Sequence, residues 1–190
     1  MEMPKENFLY HGSPVSGLKV LRPEVSEHGK PYVYLSADMA AAALYAVRPV
    51  ESPYNWYPYG FDWDRTLVYT EYYADALADV YREKTGFLYR CSGAGISENP
   101  TGIPGVYVSQ APVTVLEEQE IPDMLVWLLE QEKRGHLRIR RYSDLTREAK
   151  EQLEEMIARE ITVNRLYEHP EISYSRFLAE KFSEVWKRTA

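Results

Sequence analysis

The stretch from Tyr10 to Ala46, YHGSPVSGLKVLRPEVSEHGKPYVYLSADMAAAALYA, constrains the fold more than any other part of the chain. A short apolar run, Phe8-Leu9-Tyr10, leads into His11-Gly12-Ser13 and reads as a first strand. Pro14 and Gly17 mark a turn, and Arg22-Pro23 through Pro31 reads as a loop. A second β-rich run, Tyr32 to Leu35, feeds Ser36, which predicts the N-cap of an alanine-rich helix carrying Tyr45 and ending at Pro49. Asp38 is expected in its first turn, where a carboxylate suits the positive end of the helix dipole. The pattern offers one imidazole, one glycine without a side chain, and two tyrosines spaced to bring their rings near one pocket. A flat heteroaromatic ligand carrying a ribose would suit that pocket.

Composition limits the alternatives. The 190 residues can bury a real core, and 45% hydrophobic with 13% aromatic content is a globular balance. Sixteen tyrosines stand against five phenylalanines, and tyrosine, apolar in body and polar at the tip, favours half-wet pockets and interfaces. A net charge of −7 argues against sequence-independent nucleic-acid binding, which draws on many Lys and Arg contacts to phosphate. The single cysteine, Cys91, excludes an internal disulfide and fits a reducing compartment. With no secretory leader and no bilayer-length apolar run in view, the expected location is the cytoplasm. His28, His136 and His169 are scattered without metal spacing, so no metal is expected.

Further along, Pro49 to Asp64 holds six aromatic residues among prolines and a glycine and reads as a loop without regular structure, either a lid over the pocket or plain packing. Thr66–Tyr73 is predicted extended and Ala74–Lys84 helical, with Gly86 as the residue past the helix end. Phe87–Cys91, Val106–Ser109 and Val113–Leu116 read as strands. This mixture of short strands and helices predicts an α+β fold with a mostly antiparallel sheet.

Beyond residue 121 the pattern turns helical. Pro122 is expected at the first position of a helix ending at Gly135. Ser143, Asp144 and Thr146 compete to cap a second helix running to about Glu160, and a third covers Ser175 to Arg188. The chain thus divides into residues 1–121 and a helical extension, 122–190, packed on it and able to dock a protein partner.

Tyr10-His11-Gly12-Ser13, then Tyr32-Val33-Tyr34-Leu35-Ser36-Ala37-Asp38, then Tyr45 resembles the ADP-ribosyltransferase superfamily, in its diphtheria-toxin and poly(ADP-ribose) polymerase branch. The likeness is firm over residues 8–46 and architectural from there to about 121. That branch carries histidine, tyrosine and glutamate on successive core strands of a split, mostly antiparallel β-sandwich that grips NAD. The resemblance implies that His11 bonds the adenosine-side ribose and that the Gly12 backbone meets the nicotinamide carboxamide. Tyr45 would stack on the nicotinamide and Tyr34 would wall the same pocket, with Ser13 and Ser36 beside them. NAD would be the substrate, its ADP-ribose transferred to an acceptor the sequence does not name.

Two departures from the family pattern stand out. Ala42 occupies the position of a serine that often precedes the second tyrosine. Val106 occupies the position of the glutamate, and valine can neither bond a ribose hydroxyl nor stabilise an oxocarbenium-like state. Glu98, Glu71 and Glu118, with Glu117 beside the last, are the candidate substitutes. The alternative reading is an inactive NAD- or ADP-ribose-binding, or protein-interaction, module of the same fold.

Overall fold

The computed structural model describes residues 8–25, 29–48 and 58–189. Among them, one antiparallel sheet is built from β1 (Phe8–Ser13), β2 (Val20–Leu21), β3 (Glu24–Val25), β4 (Pro31–Ser36), β7 (Gly86–Ser92), β8 (Val106–Ser109) and β9 (Val113–Ile121). Its order is β2-β9-β7-β1-β4-β3, with β8 also paired to β4. A second sheet, ordered β10-β6-β5, joins β5 (Tyr59–Phe61) antiparallel and β10 (Leu137–Arg140) parallel to β6 (Leu67–Thr70). The helices are α1 (Met39–Leu44), α2 (Ala76–Tyr81), α3 (Met124–Lys133), α4 (Arg147–Val163), α5 (Ser173–Lys181) and α6 (Ser183–Thr189). The fold is therefore α+β with a mainly antiparallel main sheet.

Period-two alternation assigns the two faces of the main sheet. Leu9, Val33, Leu35, Tyr89 and Cys91 pack together on one face. On the other, Leu88 joins the alanines of α1, Leu67 and Tyr69 of β6, Met124 and Leu128 of α3, and Leu137 and Ile139 of β10 in a single buried cluster. Residues on both sides of position 121 thus share one core. Tyr73 and Ala76 form a further cluster with Ile157, Ile161, Phe177 and Val185 from α4 to α6.

Several local expectations are corrected. Ser36 does not cap α1: it is still paired in the sheet, and Asp38, two residues on, accepts the Ala41 amide at 2.9 Å. The helix itself stops at Leu44, with Tyr45 as its C-cap. Residues 49–57, including most of the expected lid, lie outside the described residues, but Tyr59–Phe61 is a regular strand rather than loop. Helix α2 ends early, because Arg82 turns extended and Glu83 takes φ +55°, so Gly86 opens β7 instead of closing a helix. Pro122 is not inside α3; β9 runs to Ile121 and Asp123 caps the helix by accepting the Val126 amide. Thr146 is the cap of α4. The last helix is two, broken at Phe182, whose ring packs edge-on to Tyr73 at 6.0 Å.

Candidate functional site: a parted pair of strands

Between β1 and β4 the ladder holds a single register pair, Tyr10 opposite Ser36. From His11 to Ser13, β1 stays fully paired with β7 but has no partner on β4. The two strands part there, and a side chain spans the gap: His11 Nδ1 lies 2.9 Å from the carbonyl oxygen of Tyr34. A carbonyl only accepts, so Nδ1 carries the proton and Nε2 presents a lone pair. Burial, the largest influence on this ring, holds its pKa below the ordinary value of 6.5, against the opposing pull of the Tyr34 carbonyl and of Glu24. At neutral pH His11 is thus an uncharged acceptor, suited to an incoming hydroxyl. No protein group bonds Nε2 among the described residues.

The remaining predicted residues divide between the two faces of the sheet. His11 shares its face with Tyr89, the ring centroids 6.5 Å apart. The alternation places Tyr34 and Gly12 on the opposite face, the one that α1 covers. Gly12 has a packing reason to be glycine, since a Cβ there would stand 2.0 Å from the Ala42 carbonyl oxygen. Tyr34 meets Tyr32 edge-on at 6.0 Å. Tyr45, 40% exposed at the end of α1, shares a 3.1 Å hydroxyl–hydroxyl hydrogen bond with Tyr59, whose ring is also perpendicular to its own. The sheet therefore stands between His11 and the two tyrosines, so the one pocket expected to hold all three rings is not formed.

The serines have local duties. Ser13 Oγ accepts the Val15 amide and Ser36 Oγ accepts the Asp38 amide. Both close turns in the chain, a role short hydroxyl side chains commonly fill.

The acids do not converge on the gap. Glu71 is buried and accepts the Leu77 and Tyr142 amides, fastening β6 to α2 and to the turn after β10. Glu117 pairs with Arg90 at 2.7 Å. Glu118 sits in one row with Tyr89 and His11 across three strands, but Tyr89 stands between them and Glu118 accepts the Gly17 amide. Glu98 is exposed beside Val108, with Gln110 3.5 Å from its carboxylate. Val106, 7% exposed, faces Ser36 in the ladder. Cys91 is no nucleophile either: burial pushes its thiol up to about 11.

Sequence reasoning missed a cavity of about 430 Å³ on the α1 face, lined by Tyr10, Asp38, Met39, Thr66, Gln131 and His136 among others. The available signal was Gln131, a polar residue on the otherwise apolar stripe of Met124 and Leu128. Among the described residues no cluster of three His, Cys, Asp or Glu side chains could hold a metal ion, and no helix is long and apolar enough to cross a membrane. Comparison with models of protein families, with curated proteins and with solved structures finds no match.

Proposed function

We propose that this chain is an ADP-ribosyltransferase-like protein that binds NAD, or another ligand bearing ADP-ribose, through the gap between β1 and β4. The observation that carries the reading is the His11–Tyr34 bridge, which places a neutral imidazole acceptor where the pairing of β1 with β4 lapses.

Other observations support it. His11, Tyr34 and Val106 lie on neighbouring strands, β1, β4 and β8, the succession that the resemblance implies for histidine, tyrosine and acid. The split of roles between faces also suits a dinucleotide. His11 would accept from a ribose hydroxyl on one side, while Tyr34 and Tyr45 would hold the nicotinamide end on the other. NAD would supply the scissile nicotinamide–ribose bond; the chain's own part is to bind and orient.

Val106 favours a binding member over an efficient transferase, because no carboxylate stands at that position and the nearby acids are engaged elsewhere. The test is thermal stability in millimolar NAD. The chain should melt higher with NAD, and both His11→Ala and Tyr45→Ala should abolish the shift. No shift in the unsubstituted protein would refute the reading. Timed NAD hydrolysis, absent in His11→Ala, would move the assignment to an enzyme.

A further inference from the structure

The hairpin between β5 and β6 and the start of α1 both line the cavity of about 430 Å³. That volume falls within the range of roughly 300–1,000 Å³ usual for small-molecule sites. Tyr10, Met39 and Leu67 give the cavity an apolar wall, while Asp38 and Arg65 bring opposite charges to its lining.

Neither charge is met inside the protein. Asp38 accepts the Ala41 amide on Oδ1 at 2.9 Å, but among the described residues its carboxylate makes no ion pair. The Arg65 guanidinium likewise makes no ion pair or hydrogen bond among the described residues, with Asp38 or with any other acid. The neighbouring polar groups are already engaged. Asp64 Oδ2 lies 3.2 Å from Arg138 Nη2, and Gln131 Oε1 lies 3.1 Å from His136 Nδ1. The turn also fixes Arg65 in place. Its amide donates to the Asp62 carbonyl at 2.8 Å, the Thr66 amide donates to Asp64 Oδ1 at 3.0 Å, and Arg65 sits at φ +63°. A glycine would reach that backbone conformation at less cost, yet the turn carries a long cationic side chain there.

We infer that this cavity binds a zwitterion, a free α-amino acid with a large apolar side chain. The charge pattern selects it. A purely anionic ligand would meet Arg65 and be repelled by Asp38, and a purely cationic one would face the reverse. A neutral ligand would leave both charges to water and gain only from the wall. An α-amino acid offers its carboxylate to the guanidinium, whose fork suits two parallel hydrogen bonds, and its ammonium to Asp38. Its side chain then covers Tyr10, Met39 and Leu67, where apolar area leaves water. The site is distinct from the proposed NAD contacts: Asp38 and Tyr45 stand at opposite ends of α1, and Tyr10 packs on the face of the sheet away from His11.

The experiment is titration calorimetry of the full chain with L-phenylalanine and L-leucine, each to about 10 mM, a range that captures weak binding. At least one should bind. Three probes then each remove one feature of the tighter binder. Phenylalaninamide or leucinamide lacks the carboxylate, 3-phenylpropionate or 4-methylpentanoate lacks the ammonium, and glycine lacks the side chain. Each should bind at least about tenfold more weakly, the scale of one lost charge-assisted bond or one apolar contact. Two variants separate the charges. Arg65→Gln, on an exposed turn, should no longer tell the amino acid from its amide. Asp38→Asn, which keeps the helix cap, should no longer tell it from the acid without the ammonium. Both should melt near the parent temperature. His11→Ala should leave amino-acid binding unchanged, which separates this site from the NAD reading. The inference is overturned if neither amino acid binds, if any of the three probes binds as tightly as the amino acid, or if either variant keeps the parent's discrimination.

Discussion

His11 Nδ1 donates to the carbonyl oxygen of Tyr34 across 2.9 Å, and in doing so bridges two strands at the point where their ladder lapses. That bond sets the tautomer of the imidazole, with the proton on Nδ1 and the lone pair on Nε2.

The first prediction concerns protonation. Burial lowers the His11 pKa in the folded chain below 6.5, so the unfolded chain takes up a proton first as pH falls. Its contribution to stability is whole above about pH 6.5 and is lost as pH falls through the lower folded-state value. In an NMR titration His11 should keep a proton on Nδ1 and become charged only below the ordinary histidine value of 6.5. A His11 that charges at or above 6.5 contradicts the account.

Gly12→Ala tests the packing of α1 on β1. The new methyl would fall on the Ala42 carbonyl oxygen, 2.0 Å away, and backbone cannot swing aside as a side-chain tip can. Urea denaturation should show a loss of about 2–3 kcal/mol, the upper part of the usual overpacking range. A change under about 0.5 kcal/mol would mean that α1 is not seated as described.

Glu71→Ala separates a structural acid from a catalytic one. Two backbone amides, of Leu77 and Tyr142, would lose their acceptor in a buried position. The expected loss is about 2–4 kcal/mol in denaturant unfolding, with NAD affinity unchanged in the fraction that remains folded. A stable variant with lost NAD binding would place Glu71 in the site.

Val106→Glu tests the proposed NAD reading by placing a carboxylate on the strand that pairs with β4, beside Tyr34. NAD hydrolysis by the variant should exceed the parent's background by about 10²-fold or more, the scale on which one well-placed electrostatic group acts. A folded variant that binds NAD yet shows no gain would show that the missing acid is not what limits chemistry.

How much of this was legible in the chain can be argued residue by residue. The strand from Phe8, the strand from Tyr32 and the alanine-rich helix after it were readable from alternation and the alanine run, although the helix stops at Leu44 instead of carrying Tyr45 on to Pro49. The cap was misassigned to Ser36; Asp38, expected in the first turn, holds it. Ser36 remains committed to the sheet through Tyr10 and Val106, a nonlocal pairing that spacing does not reveal. Tyr59-Gly60-Phe61 looked irregular because its glycine and nearby prolines weaken strand propensity; pairing with β6 overrides it. The parallel joining of β10 to β6, which draws residues beyond 121 into the main core, is likewise set by partners distant in sequence. The break at Phe182 carries no glycine or proline and follows from ring packing on Tyr73. At the candidate site, the division of the predicted residues between two faces needed the register of β1 and β4.

The most direct measurement follows the His11 Nε2 nitrogen by NMR in chain labelled with ¹⁵N-histidine as NAD is added at neutral pH. Acceptance of a ribose hydroxyl predicts a saturable shift of Nε2, with Nδ1 still protonated and bonded to Tyr34, and no comparable change at His136. An Nε2 signal that stays put at millimolar NAD, in a chain shown to be folded, would contradict the central claim.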